Sequence, residues 1–218
     1  GAVITFALNG LFELIPFLKS RYDGEFYIPS AVKEELIDTP SKSKKYAFEA
    51  LRVGQLIKNG YLKVYDTSKY STETEIITNM ANTIFYRGNT PLQILNKGEL
   101  DSLVLLKNID AEAVVVDERT TRLLLENPHR LHKMLERKQR SKITMDKKKL
   151  SEFSKHFVSV RIIRSVELAL IGIDRGFFKE MSSFETKQGI VKSLLWALKL
   201  NGCAISEREI RSLIKLFG

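Results

Sequence analysis

Hydrophobic and polar positions along the chain follow two spacings that keep replacing one another. A helix returns to its apolar face every three or four residues, whereas a strand alternates every second residue. On this reading residues 2–19 are helical, with a kink or break at Pro16. "GEFYIP" is a short strand, and Pro29 opens a helix through "SAVKEELID". "SKSKKYAFEALRVGQLIKNG" is a helix stopped by Asn59 and Gly60, and "YLKVY" is a strand. Residues 72–86 read as helix, "RGNTP" as a loop and "GELDSLVLLKNI" as an amphipathic helix. A strand at 113–116 follows, then after a basic stretch "FVSVRII" is another strand. "SVELALIGIDRGFF" is a helix ended at Gly176, and two tail helices cover about 186–200 and 206–216. Ser206 and Glu209 have the spacing of a capping box for the last one.

Strands alternating with helices predict an α/β fold, a parallel sheet flanked by helices on both faces, with right-handed crossovers and a helical C-terminal extension. One domain is expected rather than two: an α/β core over residues 1–128, a basic insert at 129–156, and a remaining strand with the C-terminal helices at 157–218.

One junction stands out in that pattern. The apolar run Ala113–Val116 passes directly into Asp117, Glu118 and Arg119. In parallel α/β sheets ligands bind at the carboxyl ends of strands. An Asp there is either a site residue or a helix cap. Other acids fall at comparable places. Glu35 lies at the edge of the apolar face set by Val32 and Leu36, while Glu99 and Asp101 flank the face set by Leu100, Leu103 and Val104. Acids gathered in one cleft repel unless a cation sits among them, and a hard divalent ion prefers oxygen ligands. Acidic helix edges are also common on ordinary surfaces.

Composition sharpens this picture at one place. The chain has 218 residues and a net charge of +9. Residues 129–156 contain ten of the 35 lysines and arginines and three of the 26 acids, so the remainder is close to neutral. A local basic surface attracts phosphate backbones, although a solvated helical hairpin has the same composition. His129, His132 and His156 share this segment; the i, i+3 pair has a metal-like spacing but no accompanying cysteine. The single Cys203 excludes an internal disulfide framework and a Cys-based zinc site, and a reduced, cytoplasmic setting is the simplest reading. No apolar run is long enough to span a bilayer, so no membrane role is expected.

Three stretches in order, "YIPSAVKEELID", "GELDSLVLLKN" and "AVVVDERTTRLLLE", resemble the PIN-domain nuclease family. The segment "VELALIGIDRGFF" and the tail "VKSLLWALKLNGCAISEREI" resemble a prokaryotic, archaeal-type subgroup with a helical C-terminal extension. The basic insert is the main departure. The resemblance implies a hydrolase: a Mg²⁺- or Mn²⁺-dependent endoribonuclease acting on single-stranded RNA and leaving a 5′-phosphate and a 3′-hydroxyl. It implies catalytic and metal-binding roles for Glu35, Glu99 and Asp117, with Asp101 as an extra or alternative metal ligand. Arg119 and Arg122 follow the last acid and would contact phosphate or a carboxylate; a structural ion pair explains Arg122 equally well. Lys138, Arg140, Lys147, Lys148 and Lys149 would hold the RNA backbone. The family's first Asp has no counterpart here, because "GAVITFALNG" matches the helix that follows it; an Asp about two residues before Gly1 is the expectation.

Two further readings stand beside the nuclease. A PIN-like module without a metal site would bind RNA or support assembly of a ribonucleoprotein. A toxin of a toxin–antitoxin pair would share the fold and chemistry. PIN proteins often pair, so a homodimer through helices 186–216 is a further expectation, although Ile190, Leu194, Leu195 and Leu198 also read as ordinary core.

Overall fold

The computed structural model describes residues 1–42, 44 and 46–217. Its class is α/β and helix-rich, with twelve α-helices and three small sheets among the described residues. The chain builds two apolar cores. Its two ends form the first: α1 (Ala2–Leu8), α2 (Leu14–Lys19), α3 (Ser30–Lys33) and α4 (Ala47–Lys58) pack with α10 (Ser165–Asp174), α11 (Lys187–Leu200) and α12 (Glu207–Phe217). Phe6, Leu14, Val53, Val166, Leu195 and Ile210 are buried there. The stripe Ile190, Leu194, Leu195 and Leu198 belongs to this core. The middle of the chain forms the second core from α5 (Ser71–Ala81), α6 (Lys97–Asn108), α7 (Arg119–Glu126), α8 (Pro128–Gln139) and α9 (Lys147–His156).

The expected single parallel sheet is divided. β1 (Tyr27–Pro29) pairs in parallel with β2 (Lys63–Tyr65), and β5 (Val114–Val115) pairs in parallel with β7 (Ile162–Ile163). A separate antiparallel sheet joins β3 (Phe85–Arg87) to β4 (Thr90–Pro91) and to β6 (Ile143–Met145). Helix α6 packs against both β1 and β5, and its first turn meets the segment that follows each of them: Gly98 touches the Glu35 carboxylate, and Glu99 shares a cleft with Glu118.

Several boundaries differ from the sequence reading, each for a local reason. The N-terminal break falls at Asn9–Gly10 rather than at Pro16. Gly10 adopts φ 69°, and Leu11 N–H closes back on the Phe6 carbonyl at 2.8 Å. Pro16 sits in the first turn of α2, where its missing N–H costs nothing. The helix expected over 72–86 stops at Ala81. The Asn82 side chain there accepts the N–H groups of Ile94 and Leu95 at 2.8 and 3.0 Å, and Phe85–Arg87 become a strand. "RGNTP" is the tip of that hairpin, with Gly88 at φ 58°.

The basic segment is not a solvated appendage. It is a helix–strand–helix unit whose Leu131, Leu135, Ile143 and Phe153 are buried in the second core. Asn127 caps α8, and the Asp146 carboxylate accepts two N–H groups at the start of α9, each at 3.0 Å. Its charges therefore line the outside of a load of apolar side chains, and β6 supplies an edge of the antiparallel sheet. No helix among the described residues is long and apolar enough to cross a membrane.

Candidate active site

The acids of the site are placed by strand ends and by the first turns of helices. Glu35 follows β1 and α3 on the wide helical turn Glu34–Asp38 and is exposed. Its carboxylate lies against the first turn of α6: a Cβ built on Gly98 would come within 2.9 Å of Glu35 Oε1. The Gly-Glu pair thus has a physical reason. A methyl at position 98 would displace the Glu35 carboxylate from the positive end of α6.

Glu99 is also a cap. Asn96 Oδ1 accepts the Glu99 N–H at 2.9 Å, and Glu99 Oε2 accepts the Asn96 N–H at 2.8 Å. The sequence Asn-x-x-Glu carried this capping-box signal. The second oxygen is free of the cap. Glu99 lines a cleft of about 390 Å³ with Glu118, Leu135 and Lys138. Burial raises the Glu99 pKa, the Asn96 N–H works against the shift, and the negative charge of Glu118 adds to it. Glu118 itself accepts the Thr121 N–H at 2.8 Å and so opens α7.

Asp117 has a different environment. It is 2 % exposed. Oδ1 accepts the Ser165 N–H at 2.8 Å and Oδ2 accepts the Thr5 hydroxyl at 2.9 Å, which ties α1 and the start of α10 to the end of β5. Its carbonyl accepts the Ala204 N–H at 3.3 Å. Burial and the adjacent Asp117 charge push the Cys203 thiol up to about 11. Gly1 stands beside it, with a built Cβ 3.4 Å from the Asp117 nitrogen.

Asp101 faces elsewhere. Two residues along a helix turn the side chain through about 200°, so Asp101 leaves the Glu99 cleft and lines a second one with Thr67 and Lys97. Among the described residues, no three His, Cys, Asp or Glu side chains stand close enough together to hold one metal ion. The donor set nevertheless matches a hard divalent cation in kind. Glu35 is unencumbered by hydrogen bonds among the described residues, Glu99 keeps one oxygen, and each Asp117 oxygen retains a lone pair beyond its single protein donor. As placed, however, Glu35, Glu99 and Asp117 stand too far apart to share one ion.

No protein-family model, curated protein or solved structure matches the chain.

The basic residues divide into two groups. Lys138 borders the Glu99 cleft, and Arg119, Arg140, Lys147 and Lys148 are exposed. Arg140 ends α8 in the left-handed region at φ 47°. Arg122 and Lys149 are turned inward. Arg122 Nη2 donates to the Ala204 carbonyl at 3.4 Å, while Lys149 Nζ donates to the Thr83 and Tyr86 hydroxyls at 2.8 and 3.2 Å. His129 and His132 do not converge on a common point: His129 is exposed, whereas His132 Nε2 lies 2.6 Å from the Ile143 carbonyl with its ring over Phe85. Sequence reasoning missed Glu118 as a cleft residue because the N-cap role alone accounts for it. It missed Thr67 because no local pattern links residue 67 to residue 101.

Proposed function

We propose that the chain is a divalent-metal-dependent endoribonuclease that hydrolyses phosphodiester bonds of single-stranded RNA. The observation that carries this reading is the cleft in which Glu99 and Glu118, at the carboxyl ends of the parallel strands, face Lys138 of the basic segment. Carboxylates alone would repel a phosphodiester. Carboxylates walled by a basic helix suit a substrate whose backbone is held on the cationic side while its reacting phosphate meets the acidic side. Lys138 and Arg140 bind the backbone, and Arg119, Lys147 and Lys148 extend that surface. To hold Mg²⁺ or Mn²⁺, Glu35, Glu99 and Asp117 would have to draw closer together than they stand; a metal bound there would supply neutralisation of phosphoryl charge and a more acidic water.

A second reading has its own observation. Both Asp117 oxygens already accept protein hydrogen bonds, which favours a non-catalytic PIN-like module that binds RNA in a processing or ribonucleoprotein complex. Thermal unfolding with Mn²⁺ separates the two. An ion bound to the folded state raises the melting temperature. The nuclease reading expects a rise in the wild type that is reduced in Glu99→Gln, which keeps the cap; no rise in the wild type, with RNA still bound, favours the non-catalytic module.

A further inference from the structure

The second cleft, beside Asp101, is larger than the first, with a volume of about 640 Å³. It lies at the carboxyl ends of β1 and β2 and is lined by Ser30, Asp66, Thr67, Thr74, Lys97 and Asp101, among others. Three features mark it as a place for a ligand. Asp101 is 5 % exposed, yet among the described residues it has no firm partner: the Thr67 hydroxyl is 3.5 Å away and the Thr74 hydroxyl stands beside it. A buried carboxylate is ordinarily paired or firmly hydrogen-bonded. Thr74 Oγ1 is buried near Asp101 without a hydrogen bond of good geometry. Asp66 and Thr67 follow directly on Tyr65, whose ring stacks on Tyr70 at 6.4 Å and 10°. Lys69 Nζ sits 5.0 and 4.9 Å from these two rings. Stacked aromatics beside a cation form a surface on which nucleobases stack.

The lining chemistry selects the ligand class. Carboxylates outnumber ammonium groups around the cleft, so a phosphate is poorly placed inside it. A neutral group that presents two adjacent N–H donors suits Asp101, because a carboxylate accepts such a pair in parallel. Among the bases of RNA, the N1–H and N2–H₂ edge of guanine offers that pair, and its O6 acceptor needs a donor such as the Lys97 ammonium or a threonine hydroxyl. Adenine offers an acceptor at N1 and would leave Asp101 facing a lone pair.

We propose that this cleft is a guanine-reading pocket, with Asp101 receiving the donor edge of the base and the Tyr65–Tyr70 pair flanking its entrance. The inference rests on the RNA reading and deepens it. The first turn of α6 separates the two clefts, with Glu99 on one side and Asp101 on the other. A strand of RNA crossing that turn would seat a guanine at Asp101 while an adjacent phosphate reaches Glu99. Asp101 is then a specificity-determining residue.

The test is fluorescence anisotropy of labelled oligouridine carrying one central G, A or inosine, in EDTA so that no cleavage intervenes. Wild type and Asp101→Asn are compared, with free GMP as a separate probe. Asn is isosteric but turns one acceptor into a donor, and a melting curve checks its fold. Wild type should prefer G over A by about tenfold or more, the scale of a bidentate base contact. Inosine, which lacks the N2 amino group, should fall between them, and Asp101→Asn should abolish the preference. Equal binding of the G and A oligonucleotides by wild type, or an undiminished preference in the folded variant, would overturn the pocket and leave the RNA reading standing. Binding of GMP alone, lost in Asp101→Asn, would keep the pocket as a free-nucleotide site and refute the RNA reading. No binding of any probe would refute both.

Discussion

Asp117 and Glu99 lie at the same end of the parallel strands, yet the fold uses them differently. Asp117 is buried with one protein donor on each oxygen, and those donors come from α1 and the start of α10. Glu99 gives one oxygen to a helix cap and turns toward a cleft beside a basic helix. The difference teaches that an acid at a strand end is not one kind of residue. What distinguishes the two is how many donors the surrounding elements supply.

The largest effect that would sharpen this contrast is on stability. Asp117→Ala leaves the Ser165 N–H buried without an acceptor, while the Thr5 hydroxyl keeps only the Gly1 carbonyl at 3.3 Å. Urea unfolding should therefore show a loss of about 1–3 kcal/mol, the cost of one unsatisfied buried group. A variant as stable as wild type would show that Asp117 is not an anchor. Glu99→Gln should behave in the opposite way. Gln can complete the capping box, so the melting temperature should hold while cleavage falls about 100-fold or more, as for loss of a positioned catalytic charge. Smaller effects are expected from Lys138→Ala and Arg140→Ala. Each should weaken RNA binding regardless of sequence and lower the slope of log K against log salt by about 0.7.

Asp101→Asn should raise stability, since burial raises the Asp101 pKa against the opposing charge of Lys97. The raised folded pKa means that ionised Asp101 costs stability above that value, and the cost disappears as pH falls below the unfolded value. The melting temperature should therefore be higher than wild type at neutral pH, and the gain should vanish in acid. The smallest effect concerns Glu209. Burial would raise its pKa, but the Ser206 N–H and hydroxyl and the Arg164 guanidinium outweigh it and hold the carboxyl at about 2. The modest stability this contributes is present above the ordinary value of 4.5 and is lost as pH falls from there toward about 2. An acid titration of melting temperature in wild type and Glu209→Gln should diverge above that window and converge below it.

The long amphipathic helices were legible because their periodicity is local. The tail helices Lys187–Leu200 and Glu207–Phe217 fall where spacing and the Ser206–Glu209 box put them. The short strands were harder. Phe85–Arg87 is three residues long, and only its pairing with Ile143–Met145, far along the chain, makes it a strand. The division of the sheet was hidden for the same reason. In the site, the positions of Glu35 and Glu99 near one helix turn were foreshadowed by Gly98-Glu99, whereas the capture of Asp117 by Thr5 and Ser165 depends on partners more than forty residues away. The basic segment carried two messages in one stretch. Its lysines announced a charged surface, while Leu131, Leu135, Ile143 and Phe153 carried the helical and strand spacing of a core. Deleting 129–156 would remove those side chains, so its role in binding is tested by single surface substitutions.

Cleavage of end-labelled single-stranded RNA with Mn²⁺, by wild type and by Glu99→Gln, with an EDTA control, tests the central claim most directly. The account predicts cleavage that EDTA abolishes and that the folded variant loses. Cleavage undiminished in Glu99→Gln or in EDTA would contradict it, as would bound but uncut RNA in the presence of Mn²⁺.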